Sequence, residues 1–567
     1  MKRRQFLASS AVSLFAPLIN RAQSQQQSTS PCKDVYAGIV RAGDELVPDQ
    51  LARQERNPSH PQFGGLPDGD GIYTAGGAAG FIKTLTAAFC APESRYSGAS
   101  ELVPRMEQAA CFLRSIQHAD GTIDLHTTNF HSPPDTAFVV EPVAVSAAVL
   151  QTKRMPILST LLAELRAFLR AAGDALAVGG IHTPNHRWVV CAALARLNSL
   201  WPQARYVQRI DDWLAEGIDI DADGQYTEHS TSIYSPVVDS SLMTVARLLS
   251  RPSLLDPVRR NLEMTLYYLH ADGEVATEGS RRQDQYVRGS ALGYYLPCRY
   301  LAIQDSNSRF AALARKLESG GCERLAANLI YFLEDPELKR GLPASGTLPE
   351  DFARVFGHSS LARVRRGAVS ATILASNPVF FSFRKGSAAL QGLRLASAFF
   401  GKGQFQGGTL EADGNRYSLA QTLSGPYYQP LPADARREDG DWSRMDMSKR
   451  SRSEVQTLES KVTLVEQEGR FEIEFAVTGC DRVPVAVELG FRRGGQLKGA
   501  VESGAAPDVY WLAKGTGRYE SDGQVIEFGP GQQEHRYFQI RGALPKLDGP
   551  SVYLSGFTPF RKKIFIA

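Results

Sequence analysis

The sequence predicts an α+β protein with two domains, an N-terminal incomplete (α/α) toroid followed by a C-terminal antiparallel β-sandwich. Residues 31–350 carry an apolar pattern of helical period, interrupted by loops that hold Gly, Pro, Asp and His. Residues 351–567 carry short, partly alternating, β-prone runs separated by turn pairs such as Asp413-Gly414. A chain of 567 residues is also too long for a single hydrophobic core, so two or three domains are expected.

Residues 1–30 have the layout of an export signal. Lys2, Arg3 and Arg4 precede an apolar run that is too short to span a membrane permanently, and a polar Gln/Ser stretch follows it. The paired arginines followed by Gln5-Phe6 resemble a twin-arginine signal, with a Sec-type signal as the alternative. We therefore expect the mature protein in the periplasm or outside the cell.

Net charge and cysteine spacing exclude some classes of protein. The 63 basic and 60 acidic residues nearly balance, which argues against a nucleic-acid binder that relies on a basic surface. No later segment is apolar and long enough for a membrane span. The seven cysteines include no C-x-x-C pair, so no zinc framework is visible, although export permits a disulfide. We expect no cofactor; a structural divalent cation stays open, but no oxygen-ligand motif supports it.

The individual elements follow from these two patterns. The helical region leaves room for roughly ten to fourteen helices of average length, and many medium helices with loops gathered at one end favour a toroid of helical hairpins. Its clearest helix contains Val189, Val190, Ala193, Leu194 and Leu197 at three- and four-residue spacing. The predicted strands lie at residues 370–375, 379–383, 462–465, 471–477 and 485–489. Regularly spaced short strands favour a sandwich, and residues 433–452, which have neither period, are expected to form a surface loop.

Two loops concentrate polar groups that a helical scaffold does not need. The first, His182–Trp188, stands directly before a helix; Asn185 has the side chain of a helix cap, but His186 and Trp188 are not needed for capping. The second, Asp223–Tyr234, holds two tyrosines, a glutamate and a histidine within a short span and leads into a helix from Pro236. Both loops are candidates for a functional site.

Two further segments are weaker candidates. Residues 278–286 include the adjacent Arg281 and Arg282 flanked by acids, which is also typical of a solvated ion-pair face. Residues 126–135 place Asn129 and His131 on a proline-stiffened backbone, a composition suited to binding a sugar.

The first two loops, in this order, resemble the polysaccharide lyases of the toroid-plus-sandwich type. These comprise the heparinase II/III-like and oligoalginate lyases and, more distantly, the hyaluronate/chondroitin lyases. In the first group an Asn-His pair opens a helix and precedes an Asp-Gly-x-Tyr-x-Glu loop that ends in a tyrosine, as Asn185-His186 and Asp223–Tyr234 do. In the second group the loop carries a histidine at the position of His229, and Ser280-Arg281 is similar to a later Ser-Arg pair.

The resemblance implies β-elimination from a uronic-acid-containing polysaccharide. Charge grows on the uronate carboxylate as the C5 proton leaves, so donors must face it beforehand; Asn185, His186 and an arginine, Arg281 in the first instance, can supply them. Tyr234 is the expected proton shuttle, provided that cationic neighbours favour its phenolate. His229 is the alternative base, since its ordinary pKa already suits the task.

The remaining expected contacts are with the substrate, an anionic polysaccharide or oligosaccharide. The residues assigned to substrate binding are Asn129, His131, Trp188, Tyr226, Glu228 and Arg282. The sequence departs from the heparinase type in one respect, since residues 399–406 of the β region lack the histidine found there. Either Lys402 or Gln404 takes its place, or the site is entirely helical, which we favour.

Two other functions compete with elimination. A glycoside hydrolase on the same toroid needs two carboxylates that face each other across the sugar, and Glu228 and Asp223 are available. A non-catalytic glycan-binding protein would use aromatic side chains such as Trp188 and Tyr226 as platforms and would need no proton shuttle.

Overall fold

The computed structural model describes residues 34–567, so the export signal predicted for residues 1–30 lies outside the described residues. The described helices are α1 (Val35–Arg53), α2 (Ala75–Cys90), α3 (Leu102–Ile116), α4 (Pro133–Gln151), α5 (Ser159–Val178), α6 (Pro184–Leu200), α7 (Ala204–Ala215), α8 (Tyr234–Leu248), α9 (Leu255–Tyr268), α10 (Tyr295–Gln304), α11 (Ser308–Ser319) and α12 (Leu329–Glu334). None of them is both long and apolar enough to cross a membrane.

The strands lie almost entirely in the C-terminal part of the chain. They are β1 (Ile123–Leu125), β2 (Asn129–Ser132), β3 (Glu274–Val275), β4 (Gly289–Ser290), β5 (Asp351–Phe356), β6 (Leu361–Arg366), β7 (Val369–Leu374), β8 (Phe381–Lys385), β9 (Ala388–Ser397), β10 (Glu411–Asp413), β11 (Arg416–Tyr428), β12 (Arg452–Gln467), β13 (Arg470–Gly479), β14 (Pro484–Phe491), β15 (Gln496–Lys498), β16 (Val501–Glu502), β17 (Val509–Trp511), β18 (Gly517–Ser521), β19 (Gln524–Gly529), β20 (Ser551–Phe557) and β21 (Phe560–Ile566).

The chain divides into two compact units. The helical unit contains the described residues up to Tyr267 together with Ser280–Leu348, and the sheet unit contains Tyr268–Gly279 and Pro349–Ala567. The sequence pattern gives no sign that Tyr268–Gly279 belongs to the sheet unit. The predicted domain boundary therefore leaves this segment in the helical domain.

The helical unit is a toroid of alternating inner and outer helices. The inner helices α2, α4, α6, α8 and α10 pack on one another in succession, while the outer helices α3, α5 and α7 pack in a second succession around them. Inner helix α6 is buried on every side from Asn185 to Leu197, whereas outer helix α7 buries only Tyr206 and Ile210. An amphipathic helix such as α7 packs one face and leaves the other to solvent, whereas an inner helix such as α6 is enclosed by its neighbours.

A buried ion-pair network joins three consecutive inner helices to the last helix of the unit. Arg196 on α6 contacts Glu141 on α4 at 2.9 Å and Glu334 on α12 at 2.6 Å, and Arg247 on α8 contacts Glu334 at 2.6 Å. Tyr331 donates a hydrogen bond of 2.8 Å to Glu141. Burial alone would raise the pKa of Glu334, but the charges of Arg196 and Arg247 outweigh it and hold this pKa below its usual range.

The sheet unit is a sandwich of two large sheets. One has the order β10-β11-β12-β13-β21-β19-β18-β15 and the other the order β16-β17-β20-β14-β9-β8-β7-β6-β5. The five predicted strands overlap β7, β8, β12, β13 and β14 and extend at most two residues beyond their ends, which confirms them. The pairs are antiparallel as expected except β17 and β20, which run parallel. Between the sheets, Phe381 of β8 packs on Phe471 of β13 with ring centroids 5.0 Å apart, so both inner faces share one core.

Polar contacts hold the Tyr268–Gly279 segment in the sheet unit. His270 Nδ1 lies 2.7 Å from the Ser370 hydroxyl, and Glu274 accepts hydrogen bonds from Arg384 and Arg492 at 2.5 and 3.0 Å. These partners come from distant strands, which is why periodicity within the segment gives no sign of them.

One cysteine of the helical unit is cross-linked. Cys322 is disulfide-bonded, whereas Cys90, Cys111, Cys191, Cys298 and Cys480 are free thiols.

We expect Glu334→Gln to lower the free energy of unfolding by about 3 kcal/mol, because it leaves the buried Arg196 and Arg247 with too little negative charge. Glu337→Gln is the matched control: Glu337 and its partner Arg340 are 68% and 63% exposed, so a change below about 0.5 kcal/mol is expected. Urea unfolding at pH 7, followed by circular dichroism, measures both. Equal effects of the two substitutions would contradict a structural role for the network.

Candidate active site

The first candidate loop ends at the start of α6, where it places Asn185 and His186. Thr183 is the N-cap residue and Pro184 occupies the first helical position, which its fixed φ favours. Asn185 is therefore not the cap, and its side chain is free for another partner. Its Nδ2 donates a 2.5 Å hydrogen bond to Oε2 of Glu228, and its backbone N–H donates to the same oxygen at 3.2 Å. The carboxylate thus lies at a helix N-terminus, where negative charge is favoured.

The second loop is fixed to the third segment by a buried carboxylate. Asp284 accepts hydrogen bonds from the Ser230 hydroxyl at 3.0 Å, from the Ser232 backbone N–H at 3.0 Å and from the Ser280 hydroxyl at 3.2 Å. Ser230 and Ser232 precede Ser280 by about fifty positions in the sequence. By binding all three, Asp284 determines how the two segments meet. The sequence contains Asp284 in the third segment, but nothing in the pattern separates it from a solvated acid.

The second loop delivers Tyr234 as the first residue of α8, slightly earlier than the helix start expected at Pro236. Gln283 donates a hydrogen bond of 2.5 Å from Nε2 to the Tyr234 hydroxyl. The Arg282 guanidinium lies 5.3 Å from the centroid of the Tyr234 ring, and its Nε is 3.5 Å from Oε1 of Glu228. Glu228 therefore lies between Asn185 and Arg282, and Arg282 lies between Glu228 and the tyrosine.

Burial sets the protonation preferences of this cluster. It raises the pKa of Glu228, against the hydrogen bonds from Asn185 and the charge of Arg282. It also raises the pKa of Tyr234, against Gln283 and Arg282. Burial lowers the pKa of His186 to about 3, and the nearby His182 and Arg282 act in the same direction. His186 is therefore neutral at pH 7 and presents one N–H donor and one lone pair.

Three buried polar atoms of the cluster have no hydrogen-bond partner among the described residues. They are Oδ1 of Asn185, Nδ1 of His186 and Oε1 of Glu228. Buried polar groups are satisfied in the great majority of cases, so three exceptions at one place require an explanation. A bound ligand that forms hydrogen bonds with these atoms would account for all three.

His229 and Arg281 form a separate pair beside this cluster. His229 has a φ of 46°, a left-handed conformation that is uncommon for a residue with a side chain, and its carbonyl accepts a 2.8 Å hydrogen bond from the Arg281 N–H. Burial and then the charge of Arg281 lower the pKa of His229 to about 4, against Asp221 and Asp223. Among the described residues no hydrogen bond joins the His229 imidazole to the cluster, and Arg282 rather than Arg281 lies at the tyrosine.

Two residues expected to contact substrate are enclosed in the helical unit. Trp188 is 0% exposed and donates its indole N–H to Asp219 at 3.0 Å. Tyr226 is 2% exposed and donates to Asp239 at 2.8 Å. Both side chains are enclosed in the scaffold and hydrogen-bonded there, so neither has surface left for a sugar.

Asn129 and His131 lie on the hairpin formed by β1 and β2. Asn129 donates to Asp135 at 2.8 Å, His131 Nδ1 lies 2.7 Å from Asp120, and the His131 ring stacks on His118 at 3.8 Å between centroids. The hairpin leads directly into α4, and Phe138 of that helix packs edge-on against His186 at 6.3 Å. The hairpin is thus anchored to an inner helix that also contacts the cluster.

The structure brings together Asn185, His186, Glu228, Tyr234 and Arg282, and it adds Gln283, which the sequence interpretation did not single out. Gln283 follows the arginine pair directly, so its position was the only available sign. The arrangement offers neutral and cationic donors beside a buried tyrosine, which suits binding a carboxylate next to a group that can move a proton.

No protein-family model matches the sequence, and no curated protein matches it significantly. Solved structures do match. Heparan sulfate lyase HepC from Pedobacter heparinus superposes with a TM-score of 0.50 at 12% identity, covering 98% of this chain and 88% of that chain. Heparinase III gives a TM-score of 0.53 at 10% identity, with 98% and 86% covered.

The chondroitin AC lyase of Streptomyces coelicolor A3, in complex with chondroitin sulphate, gives a TM-score of 0.53 at 15% identity, with 97% and 82% covered. At these identities the likeness is one of fold. It confirms the toroid-plus-sandwich fold, and with it the structural resemblance to polysaccharide lyases, over nearly the whole chain.

Proposed function

We propose that the protein is a polysaccharide lyase that cleaves a uronic-acid-containing polysaccharide by β-elimination. The observation that carries the proposal is the buried cluster in which Arg282 joins the Tyr234 ring to the Glu228 carboxylate, which in turn is bonded to Asn185. A tyrosine that must lose and regain a proton needs a cation beside it, and Arg282 supplies one, which offsets part of the rise in the pKa of Tyr234 that burial causes. The fold that the chain shares with lyases of heparan and chondroitin sulfate supports the same conclusion.

Asn185, His186 and Arg282 are the proposed partners of the uronate carboxylate. Removal of the C5 proton spreads negative charge onto this carboxylate, and preorganised donors in a water-poor site stabilise it most effectively. A neutral His186 can donate an N–H without repelling Arg282. Glu228 is a positioning residue in this scheme, since it holds the Asn185 amide and the Arg282 guanidinium in place.

Tyr234 is the proposed proton shuttle. As phenolate it takes the C5 proton; the electron pair of the C5–H bond becomes the C4–C5 double bond, and the bond from C4 to the glycosidic oxygen breaks. The tyrosine hydroxyl then protonates the departing oxygen and returns to phenolate, so no other proton donor is required. His229, the alternative base, is less suited because its pKa of about 4 makes it a weak base.

The compartment and polymer are parts of the same proposal. The signal-like residues 1–30 and the disulfide at Cys322 support a periplasmic or secreted enzyme. The solved lyases it resembles include those named for heparan sulfate and chondroitin sulfate, so these polymers head the panel, followed by alginate, glucuronan and pectic substrates.

Tyr234→Phe should reduce elimination by about 10²-fold to 10⁴-fold or more, because it removes the group that moves the proton. The measurement is ultraviolet absorbance of the 4,5-unsaturated uronate released from each polymer by the mature protein. Tyr226→Phe is the matched control in the same loop: it removes the hydrogen bond to the buried Asp239, so it should cost about 1–3 kcal/mol of stability and leave elimination largely intact. Equal losses in both variants would refute the shuttle, and no product from any polymer would favour a glycan-binding protein.

The pH dependence of kcat/KM should identify the base. Burial holds the pKa of Tyr234 above its ordinary value of about 10, so below that pKa the phenolate fraction and kcat/KM should rise about tenfold per pH unit. A His229 base with a pKa of about 4 would instead give a constant kcat/KM from about pH 5 to about pH 8. The slope should also persist in His229→Gln, and a flat profile in the wild type would transfer the role of base to His229.

Glu228→Gln separates elimination from hydrolysis. The raised pKa of Glu228 is also what a glycosidase acid requires, and this observation keeps the hydrolase alternative open. In a lyase the glutamine can still accept from Asn185 but has no charge for Arg282, so activity should fall by about 10-fold to 10²-fold without vanishing, as expected for weakened interactions with charged groups. Reducing ends that appear without ultraviolet absorbance, and that vanish in Glu228→Gln, would establish a hydrolase.

A further inference from the structure

The sheet unit contains a cavity of its own. It has a volume of about 440 Å³ and lies over β9, β14 and β20, with its outer wall formed by residues 538–546. Its lining consists entirely of residues of the sheet unit. The volume falls within the range of small-molecule pockets, about 300–1,000 Å³. Gln404 lines this cavity and donates a hydrogen bond to the backbone carbonyl of Leu395.

A buried ion pair forms one wall of the cavity. Arg394 Nε donates to Oε2 of Glu488 at 2.8 Å, and Arg394 Nη2 donates to the same oxygen and to the Pro545 carbonyl. Oε1 of Glu488 is occupied as well, by the Ser551 hydroxyl at 2.8 Å and the Leu547 N–H at 3.0 Å. Glu488 therefore has little capacity left for a ligand.

Arg394 has one guanidinium nitrogen that is available to a ligand. It is 5% exposed, and its Nη1 makes no hydrogen bond to any residue that the structure describes. Because Glu488 and Pro545 fix the other two nitrogens, the guanidinium is held rigidly with Nη1 unengaged. Such a preorganised edge binds a carboxylate or a hydroxyl at little entropic cost.

Lys546 adds a positive charge to the lining. Its Nζ donates to the carbonyls of Leu547 and Gly549 at 3.1 and 2.9 Å, which leaves a third proton for a ligand. No described carboxylate makes an ion pair with it, although Lys546 contributes, after Arg493, to lowering the pKa of Asp548, which does not line the cavity. The lining residues therefore carry one net positive charge once Arg394 and Glu488 are counted as neutral together. The lining thus favours an anion.

Aromatic and aliphatic side chains complete the cavity. The rings of Phe538 and Tyr553 lie 5.5 Å apart and both line it, together with Ile540. Trp511 packs behind Tyr553 at 5.8 Å between ring centroids. A ligand must therefore present an apolar face as well as a negative charge, and a pyranose ring with a carboxylate has both features.

We propose that this cavity is a second saccharide site, which binds one uronate-type sugar residue through Arg394 and Lys546 and packs it against Phe538 and Tyr553. The negative charge of the ligand is inferred from the lining alone, whereas the choice of a sugar rests on the proposed function. The site lies within the sheet unit and uses none of the residues assigned to elimination.

The test is fluorine NMR of the intact mature protein labelled with 5-fluorotryptophan. The chain has five tryptophans, so five resonances are expected, and Trp511→Phe assigns the one beside the cavity. Titration with sodium D-glucuronate should shift the Trp511 resonance to saturation, and D-glucose at equal concentrations should not. This readout does not depend on catalysis, so it stands or falls separately from the proposed elimination.

Two cavity variants and one control variant show whether the shift of the Trp511 resonance comes from binding in the cavity. Lys546→Met should weaken the glucuronate response about tenfold or more, as expected for loss of a hydrogen bond to a charged group. Lys514→Met, at an exposed lysine that does not line the cavity, is the matched control and should leave it unchanged. Ala506→Phe should abolish the response by filling the space, because Ala506 lines the cavity and is only half-buried.

Three outcomes would overturn the proposal. They are a Trp511 resonance that does not move with glucuronate, one that moves equally with glucose, and a response that survives both Lys546→Met and Ala506→Phe. Thermal unfolding of each variant shows whether a lost response reflects lost folding, and Lys546→Met carries the decision if Ala506→Phe fails to fold.

Discussion

The candidate active site depends on one buried carboxylate, that of Glu228. Moving an ionised carboxylate out of water is costly unless charges and hydrogen bonds compensate it. Here the compensation comes from the N-terminus of α6 with Asn185 and from the Arg282 guanidinium. These groups belong to segments far apart in sequence, so the requirement to satisfy one carboxylate brings them together. Asp284 does the same for the serines of the two later segments.

Unsatisfied buried atoms occur in the scaffold as well as in the cluster. Asp239 accepts from the enclosed Tyr226, but its Oδ2 has no partner among the described residues. The cluster differs because three such atoms lie on residues that are adjacent in the chain or bonded to one another, one each on Asn185, His186 and Glu228. An unsatisfied buried group lowers stability, so its persistence is easier to understand where a substrate completes the hydrogen bonds. The same burial that creates this cost keeps His186 neutral.

Much of the fold and part of the site could be predicted from sequence. Helical and alternating periods report burial directly, which is why α6 and the strands β7, β8, β12, β13 and β14 were predictable. The choice between Arg281 and Arg282 was not, because adjacent side chains in a loop point in directions that only the backbone path decides. Trp188 and Tyr226 looked suited to sugar binding, yet burial depends on neighbours contributed by distant segments. For the same reason the Tyr268–Gly279 segment showed no sign of its partners in the sheet unit.

Two arginine–glutamate pairs illustrate how one motif can serve different purposes. In the sheet unit Glu488 has both oxygens engaged by several donors, so it fixes Arg394 rigidly and exposes a single donor edge. In the helical unit Glu228 keeps Oε1 unsatisfied, and Arg282 stands 3.5 Å from it, close enough to attract but without a hydrogen bond. A fully satisfied pair suits passive recognition, because nothing in it has to change when a ligand arrives. A loosely held guanidinium beside a tyrosine can respond to charge that appears during a reaction, and this contrast distinguishes the proposed saccharide site from the proposed site of elimination.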